Sequence, residues 1–257
     1  MKKYALVRIL GNELPPRDKN SNRLNSLNFI LINEPDFDNC SKFWILNTIH
    51  DHILKNNIIA LLENFNQNYI EFPFERKNYL KATTIDEKIR WAVNINAARN
   101  FGLNMFLDKY KFTFLFDGDC FFTEFLWKKT ISEIEEDGES KKYYGVPGVR
   151  IVDKIPYNYH EMRSWEPSLV FRNDADLKFN ESIPFSKNDR IELLRKIGYV
   201  FQGGHAELQK SICKNVGKLL HISFGNEDIE ENLQKRIEAR EKSLEKLLYH
   251  IDHMKIV

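Results

Sequence analysis

Short apolar runs alternate with helically spaced segments along the first half of the chain, and this alternation restricts the fold more than any other feature. Tyr4 to Leu10, YALVRIL, reads as a buried strand ending at Gly11. The loop GNELPPRDKNSNR follows, with two prolines excluding regular structure. Arg23 to Asn33 reads as a short helix and Lys42 to Leu46 as a second strand. Asp51 to Asn64 carries Ile53, Leu54, Ile58, Leu61 and Leu62 at helical spacing. Asn68 to Phe74 reads as a third strand, stopped by Pro73. Thr84 and Glu87 have the form of a capping box, and the spacing predicts a helix from there to about Lys109. Phe112 to Phe116 is a fourth strand and Phe125 to Glu136 a following helix.

Downstream, Tyr143 to Val152 and Ser168 to Arg172 read as strands. Asp189 to Lys196 reads as a helix that Gly198 stops, and about His205 to Leu219 as another. The last segment, about Asp228 to His253, is a long, charged, amphipathic helix. Its apolar face is Ile229, Leu233, Ile237, Leu244, Leu247, Leu248 and Ile251. Strands that alternate with helices imply an α/β domain with a mostly parallel central sheet flanked by helices. The simplest division is one domain over residues 1–222 with a helical C-terminal extension over 223–257.

Composition narrows the function classes. With 38 basic against 37 acidic residues, the chain offers no general attraction for nucleic acid or an anionic membrane. The three cysteines are far apart and form no CxxC pair, which argues against zinc or a disulfide framework and for a reduced, cytoplasmic setting. No apolar run approaches the ~20 residues of a membrane span. Any membrane contact would be peripheral, at the inner face. The final helix could serve packing on the domain, a homodimer, or docking to membrane-bound assembly partners. Arg236 and Arg240, one turn apart on it, are either a solvated face or diphosphate contacts.

The stretch FTFLFDGDCFF delivers two acids, Asp117 and Asp119, to the end of the fourth strand. In open α/β sheets ligands bind beyond the carboxyl ends of strands. Gly118 permits a tight turn, and alternation would aim both carboxylates at one side. Two hard oxygen ligands suit Mg²⁺ or Mn²⁺, whose other positions go to water and phosphates. A solvated Asp-Gly-Asp turn is the plain alternative. The helix before the strand contains Ala98-Arg99-Asn100-Phe101-Gly102. A glycine inside a helix costs ~1 kcal/mol relative to Ala, so Gly102 suggests close approach of a backbone or ligand. Arg99 carries a fork suited to phosphate or carboxylate.

The run AARNFGLNMFLDKYKFTFLFDGDCFF resembles the middle of the family 2-like glycosyltransferases of the GT-A fold. In that family the Asp-x-Asp motif holds a divalent metal on the diphosphate of a nucleotide sugar. The resemblance implies donor and metal roles for Asp117 and Asp119, a donor-side contact for Arg99, and Mn²⁺ or Mg²⁺ as cofactor. A second block, FNESIPFSKNDRIELLRKIGY, resembles the family's Phe-Asp-Glu, Glu-Asp and Leu-rich helix ending Gly-Tyr. Asn180 stands for the usual Asp and Asn188 for the Glu. Asp189 keeps the place of the catalytic base, and Arg195 lies six residues on, at the family's spacing.

The remaining candidates are looser. Arg8, Asn12 and Glu13, in and after the first strand, and Asp51, after the second, are candidate nucleotide-sugar contacts; Asp51 could equally cap its helix. The segment PYNYHEMRSWEPS concentrates Tyr157, Tyr159, His160, Trp165 and Glu166. Its aromatics suit sugar faces, and Glu166 is the rival catalytic base. Many GT-A enzymes complete the metal site with a late histidine; His221 is chosen over His205. The resulting expectation is a metal-dependent, inverting glycosyltransferase that moves a sugar from a UDP- or GDP-sugar donor to a glycan or other hydroxyl acceptor, as in surface-polysaccharide biosynthesis. The alternatives are a sugar-phosphate nucleotidyltransferase, against which the single glycine of GNELPPR counts, and a non-catalytic glycan-binding protein on a transferase fold.

Overall fold

A computed structural model describes residues 2–14, 22–159, 162, 164–185, 187, 190–202, 205–209, 212–222 and 233–254. Its elements, in chain order, begin β1 (Tyr4–Leu10), α1 (Asn22–Asn33), β2 (Cys40–Asn47), α2 (His52–Asn64), β3 (Asn68–Phe72), α3 (Arg76–Lys81), α4 (Ile85–Val93), α5 (Ile95–Phe106) and β4 (Phe112–Asp117). They continue β5 (Cys120–Phe121), α6 (Glu124–Glu136), β6 (Tyr143–Ile151), β7 (Ser164–Arg172), α7 (Ile191–Lys196), β8 (Tyr199–Gln202), β9 (His205–Leu208), β10 (Cys213–Asn215), β11 (Leu219–Ile222) and α8 (Leu233–His253).

The main sheet has the order β3-β2-β1-β4-β7-β6-β11-β5, with β10 also on the edge of β6. The pairs β3–β2, β2–β1 and β1–β4 are parallel, as are β6–β10 and β6–β11. β7 runs antiparallel between β4 and β6, and β5 antiparallel to β11. The fold is therefore the α/β class expected, with a mostly parallel sheet flanked by helices and a helix at the C-terminal end. Strand order reverses between β1 and β4, which makes their carboxyl ends a topological switch point.

Alternation along the strands builds two cores. One face carries Leu6, Leu10, Trp44, Phe114 and Phe116, covered by Leu27, Ile58 and Trp127 of α1, α2 and α6. The other carries Val7, Ile9, Ile45 and Leu115 under Ala98, Leu103 and Phe106 of α5. Gly102 belongs to this second seam. A Cβ there would lie 2.9 Å from Ile45 Cδ1, so the glycine lets α5 sit down on the sheet. Leu244, Leu248 and Ile251 of α8 pack on Tyr79, Ile89 and Val93 of α3 and α4. Ile237 is exposed and Leu247 half-buried in that seam; Ile229 lies outside the described residues.

Two expectations are corrected, and one element is added. The helix from Thr84 breaks at Asn94, which is left-handed (φ 43°) and separates α4 from α5. Tertiary contacts pin the break: Asn47 Nδ2 donates to the Val93 carbonyl and Thr48 Oγ1 to that of Ala92. Residues 205–219 are not helical where described; they contribute β9, β10 and the start of β11. Pairing of β9 with β8, and of β10 and β11 with β6, overrides their helical spacing. A short helix, α3, occupies Arg76–Lys81, which the sequence pattern left unassigned.

Candidate functional site

The carboxyl end of β4 brings charged groups from five parts of the chain together. Asp117 is the last residue of β4, and its carboxylate is gripped on both oxygens. Arg99 Nη2 donates to Oδ1 at 3.0 Å and Arg190 Nη1 to Oδ2 at 3.2 Å. Arg190 also donates through Nε to Glu166 Oε1. Arg99 is itself fixed by Asn96, whose Oδ1 accepts from Nη1 at 2.9 Å, and it lies over the Phe179 ring. Burial pushes the Asp117 carboxyl up, but the guanidiniums of Arg99 and Arg190 outweigh it and hold the group below the ordinary 3.8.

Asp119 has different company. Its Oδ2 lies 2.9 Å from His221 Nε2. The contact follows from backbone pairing: β11 runs antiparallel to β5, with His221 opposite Cys120, and Ile222 N donates to the Asp119 carbonyl at 2.9 Å. Ligand atoms of Asp119, Cys120 and His221 lie within 4.8 Å of one another. A carboxylate with an imidazole suits a divalent transition ion better than Mg²⁺, which prefers oxygen throughout. Burial and the neighbouring carboxylates push the Cys120 thiol well above its ordinary value. The turn between the acids must be tight: a Cβ on Gly118 would lie 2.7 Å from the Ile9 carbonyl oxygen. Gly118 is thus required by the closeness of β1.

The two sequence blocks of the resemblance meet here. Asn100 Nδ2 donates to the Phe179 carbonyl at 2.9 Å and to Glu181 at 2.8 Å, and Phe179 N donates back to Asn100 Oδ1 at 3.0 Å. Asn96 Nδ2 donates to the Asn180 carbonyl at 2.8 Å. Arg190, passed over in the sequence, completes the junction. Its signal was its place beside Asp189 in a block already singled out. Asp189 itself lies outside the described residues, as do Asn188 and His160. Arg195 is exposed, over Phe201, and is not among the groups on Asp117.

Four expected donor contacts have partners within the protein. Arg8 is fully buried, paired with Glu34 and donating from Nε to the Cys120 carbonyl at 2.7 Å, so its guanidinium faces the interior. Asn12 uses both ends of its amide internally, donating to the Thr48 carbonyl at 2.9 Å and accepting from His50 N at 2.8 Å. It ties the loop after β1 to the loop after β2. Asp51 caps α2, accepting from Ile53 N at 2.8 Å and Leu54 N at 3.0 Å. Glu13 is half-buried, with Arg23 N 3.5 Å from its Oε1. In the aromatic segment, Tyr157 is almost fully exposed, whereas Tyr159 packs on the core with its hydroxyl 3.3 Å from Thr123 Oγ1.

No family model and no curated protein matches the chain. Among solved structures it is similar to S. aureus TarS 1–349, at 15% identity and a TM-score of 0.43, over 88% of this chain and 58% of that one. The same protein in complex with UDP-GlcNAc gives 14% identity, a TM-score of 0.42, and 88% and 56% coverage. Glucosyl-3-phosphoglycerate synthase from Mycobacterium tuberculosis, in complex with Mn²⁺, UDP-glucose and phosphoglyceric acid, gives 9% identity, a TM-score of 0.37, and 99% and 81% coverage. The chain thus spans little more than half the length of the TarS chains. No helix among the described residues is long and apolar enough to cross a membrane.

Proposed function

We propose that the chain is a metal-dependent glycosyltransferase of the GT-A type that uses a nucleotide-sugar donor and a hydroxyl acceptor. The observation that supports this reading is the convergence of two sequence blocks, Asn96–Asp119 and Phe179–Arg190, at the β1–β4 switch point. That crevice is where an open α/β sheet offers room for a nucleotide. Asp119 and His221 would hold the divalent ion, with Cys120 as their third neighbour. When bound, the ion neutralises charge developing on the departing diphosphate.

The chain's own residues supply the rest. Arg99 and Arg190 concentrate positive charge beside Asp117, where the leaving group's charge would otherwise meet two carboxylates. An acceptor hydroxyl gives its proton to a carboxylate as its oxygen attacks the anomeric carbon. The bond from that carbon to the diphosphate oxygen breaks, and its electron pair leaves with the nucleotide. Asp189 is the base by resemblance. Glu166 is the alternative that the site itself presents, and Arg190 holds it.

The test is transfer or hydrolysis with a panel of UDP-, GDP- and CMP-sugars and Mn²⁺, comparing wild type with Asp189→Ala and Glu166→Ala. Turnover with one donor is expected, abolished by Asp189→Ala. Full activity in Asp189→Ala with loss in Glu166→Ala would move the base to Glu166. Absence of nucleotide binding by calorimetry with Mn²⁺ present would sink the transferase reading.

A further inference from the structure

One charged pair sits where an apolar one would be expected. Arg8 interrupts the apolar run of β1 and is fully buried; Glu34, just after α1, is 9% exposed. Arg8 Nη2 donates to Glu34 Oε1, and the guanidinium lies 4.9 Å from the Trp44 ring centroid. Lys42 Nζ approaches the other Glu34 oxygen at 3.5 Å. A buried ion pair is weak stabilisation, because well-packed apolar side chains of similar volume usually serve the core as well or better. Arg8 even keeps Nη1 buried without a hydrogen-bond partner. The pair needs a reason beyond the core.

Its remaining contacts supply one. Arg8 Nε donates to the Cys120 carbonyl at 2.7 Å, and Phe122 N donates to Glu34 Oε1 at 2.8 Å. Both backbone groups flank the two-residue strand β5. Cys120 faces His221 across the ladder, and the neighbouring inter-strand bond runs from Ile222 N to the Asp119 carbonyl. In an antiparallel ladder of that register, the polar groups of Cys120 and Phe122 point away from β11. Left alone they would be buried and unpaired. Arg8 and Glu34 take one each, and so fix β5 from the side opposite β11.

We infer that the buried Arg8–Glu34 pair is a positioning device for the acidic turn, holding β5 in the register that sets Asp119 against His221. Arg8 is then a positioning residue and touches no ligand. The inference deepens the proposed metal site, and as far as metal binding goes it rests on that reading. Loss of the partners that orient metal ligands typically lowers metal affinity ~10–100-fold.

The experiment uses the full chain and Mn²⁺ alone. The double variant Arg8→Met/Glu34→Leu removes both charges and leaves no lone buried ion; Arg8→Lys keeps charge but loses the fork. Thermal unfolding, calorimetric Mn²⁺ affinity and the NMR contact between the His221 ring and the Asp119 β-protons are read for each. The double variant should stay folded but unfold at a lower temperature than wild type, because the Cys120 carbonyl and Phe122 N–H lose their partners. It should also bind Mn²⁺ about tenfold or more weakly, and lose the ring contact. Arg8→Lys should weaken Mn²⁺ binding in the same direction and to a smaller extent. A folded double variant with wild-type affinity and an intact contact would overturn the inference. If the double variant fails to fold, Arg8→Lys decides: unchanged affinity and contact would overturn it. If wild type binds no Mn²⁺, the metal reading fails by itself, and the ring contact alone decides whether the pair positions the turn.

Discussion

Asp117 and Asp119 are separated by one glycine, yet the structure gives them unlike surroundings. Asp117 ends a buried parallel strand and is saturated by two arginines that reach it from α5 and from the segment before α7. Asp119 lies in the turn beyond and meets an imidazole brought by an edge strand. The first carboxylate is neutralised by fixed cations, with one arginine on each oxygen. The second meets one imidazole nitrogen, with a thiol close by. Alternation alone would have aimed both acids at one side. The tight turn forced by β1 at Gly118 and the antiparallel β5 give each its own surroundings instead. In the proposed reading, Asp117 would organise charge where a diphosphate lies, and Asp119 with His221 would make the metal end.

The largest effect should come from the metal end. Asp119→Ala is expected to reduce transfer by at least about a hundredfold, the scale of removing a group that stabilises departing charge. Mn²⁺ binding by calorimetry should fall with it. His221→Ala should follow in the same direction. An Asp119→Ala enzyme that retained full Mn²⁺ affinity would erase the division between the two acids.

Arg190→Lys probes the other carboxylate and should do less. It preserves charge but removes the fork that reaches Asp117 and Glu166 together. An approximately tenfold loss in kcat/KM is expected, on the order of 1.4 kcal/mol of transition-state stabilisation. Mn²⁺ affinity should stay unchanged, because Arg190 grips Asp117 and Glu166 and not the Asp119–His221 pair. Equal losses in metal affinity and turnover would show that the two acids act as one site.

How much of this was legible depended on whether the cause was local. β1 to β4, the Asp51 cap and the Thr84–Glu87 capping box were readable because apolar runs and cap chemistry act within a few residues. The break at Asn94 was not, because the carbonyls of Ala92 and Val93 are claimed by Asn47 and Thr48, over forty residues away. β9 and β10 looked helical because nothing local says that β8 and the edge of β6 are open to pair with them. His221 was chosen only as a histidine late in the chain; its register opposite Cys120 is a property of the sheet. Arg8 did carry a signal. A single charge inside YALVRIL demands a buried partner, and the acid that supplies it, Glu34, follows the next helix.

The depressed carboxyl of Asp117 gives a pH test of the first environment. A carboxyl whose folded pKa is lowered adds stability above its unfolded value and loses it as pH falls through the folded one. Asp117→Asn should therefore be less stable than wild type near pH 7, where it leaves Arg99 and Arg190 without their shared anion. The difference should shrink as pH drops below about 4, the ordinary carboxyl range. Thermal unfolding of both proteins from pH 7 to pH 2 measures it. A gap that stays constant over that range would mean the arginines do not perturb Asp117.

The smallest effect belongs to a position remote from both acids. Tyr79 is fully buried in the seam between α3, α4 and α8, and its hydroxyl donates to Asp252 at 2.9 Å. Tyr79→Phe removes that bond and little volume, so a loss of ~1 kcal/mol in stability is expected. Mn²⁺ affinity and the Asp117 pH response should both be unchanged, since Tyr79 packs among α3, α4 and α8 while Arg99, Arg190 and His221 meet the two acids at the end of β4. Were either to move with Tyr79→Phe, the C-terminal helix would be coupled to the acidic turn. The contrast between Asp117 and Asp119 would then reflect the state of the whole carboxyl edge and not the partners each acid touches.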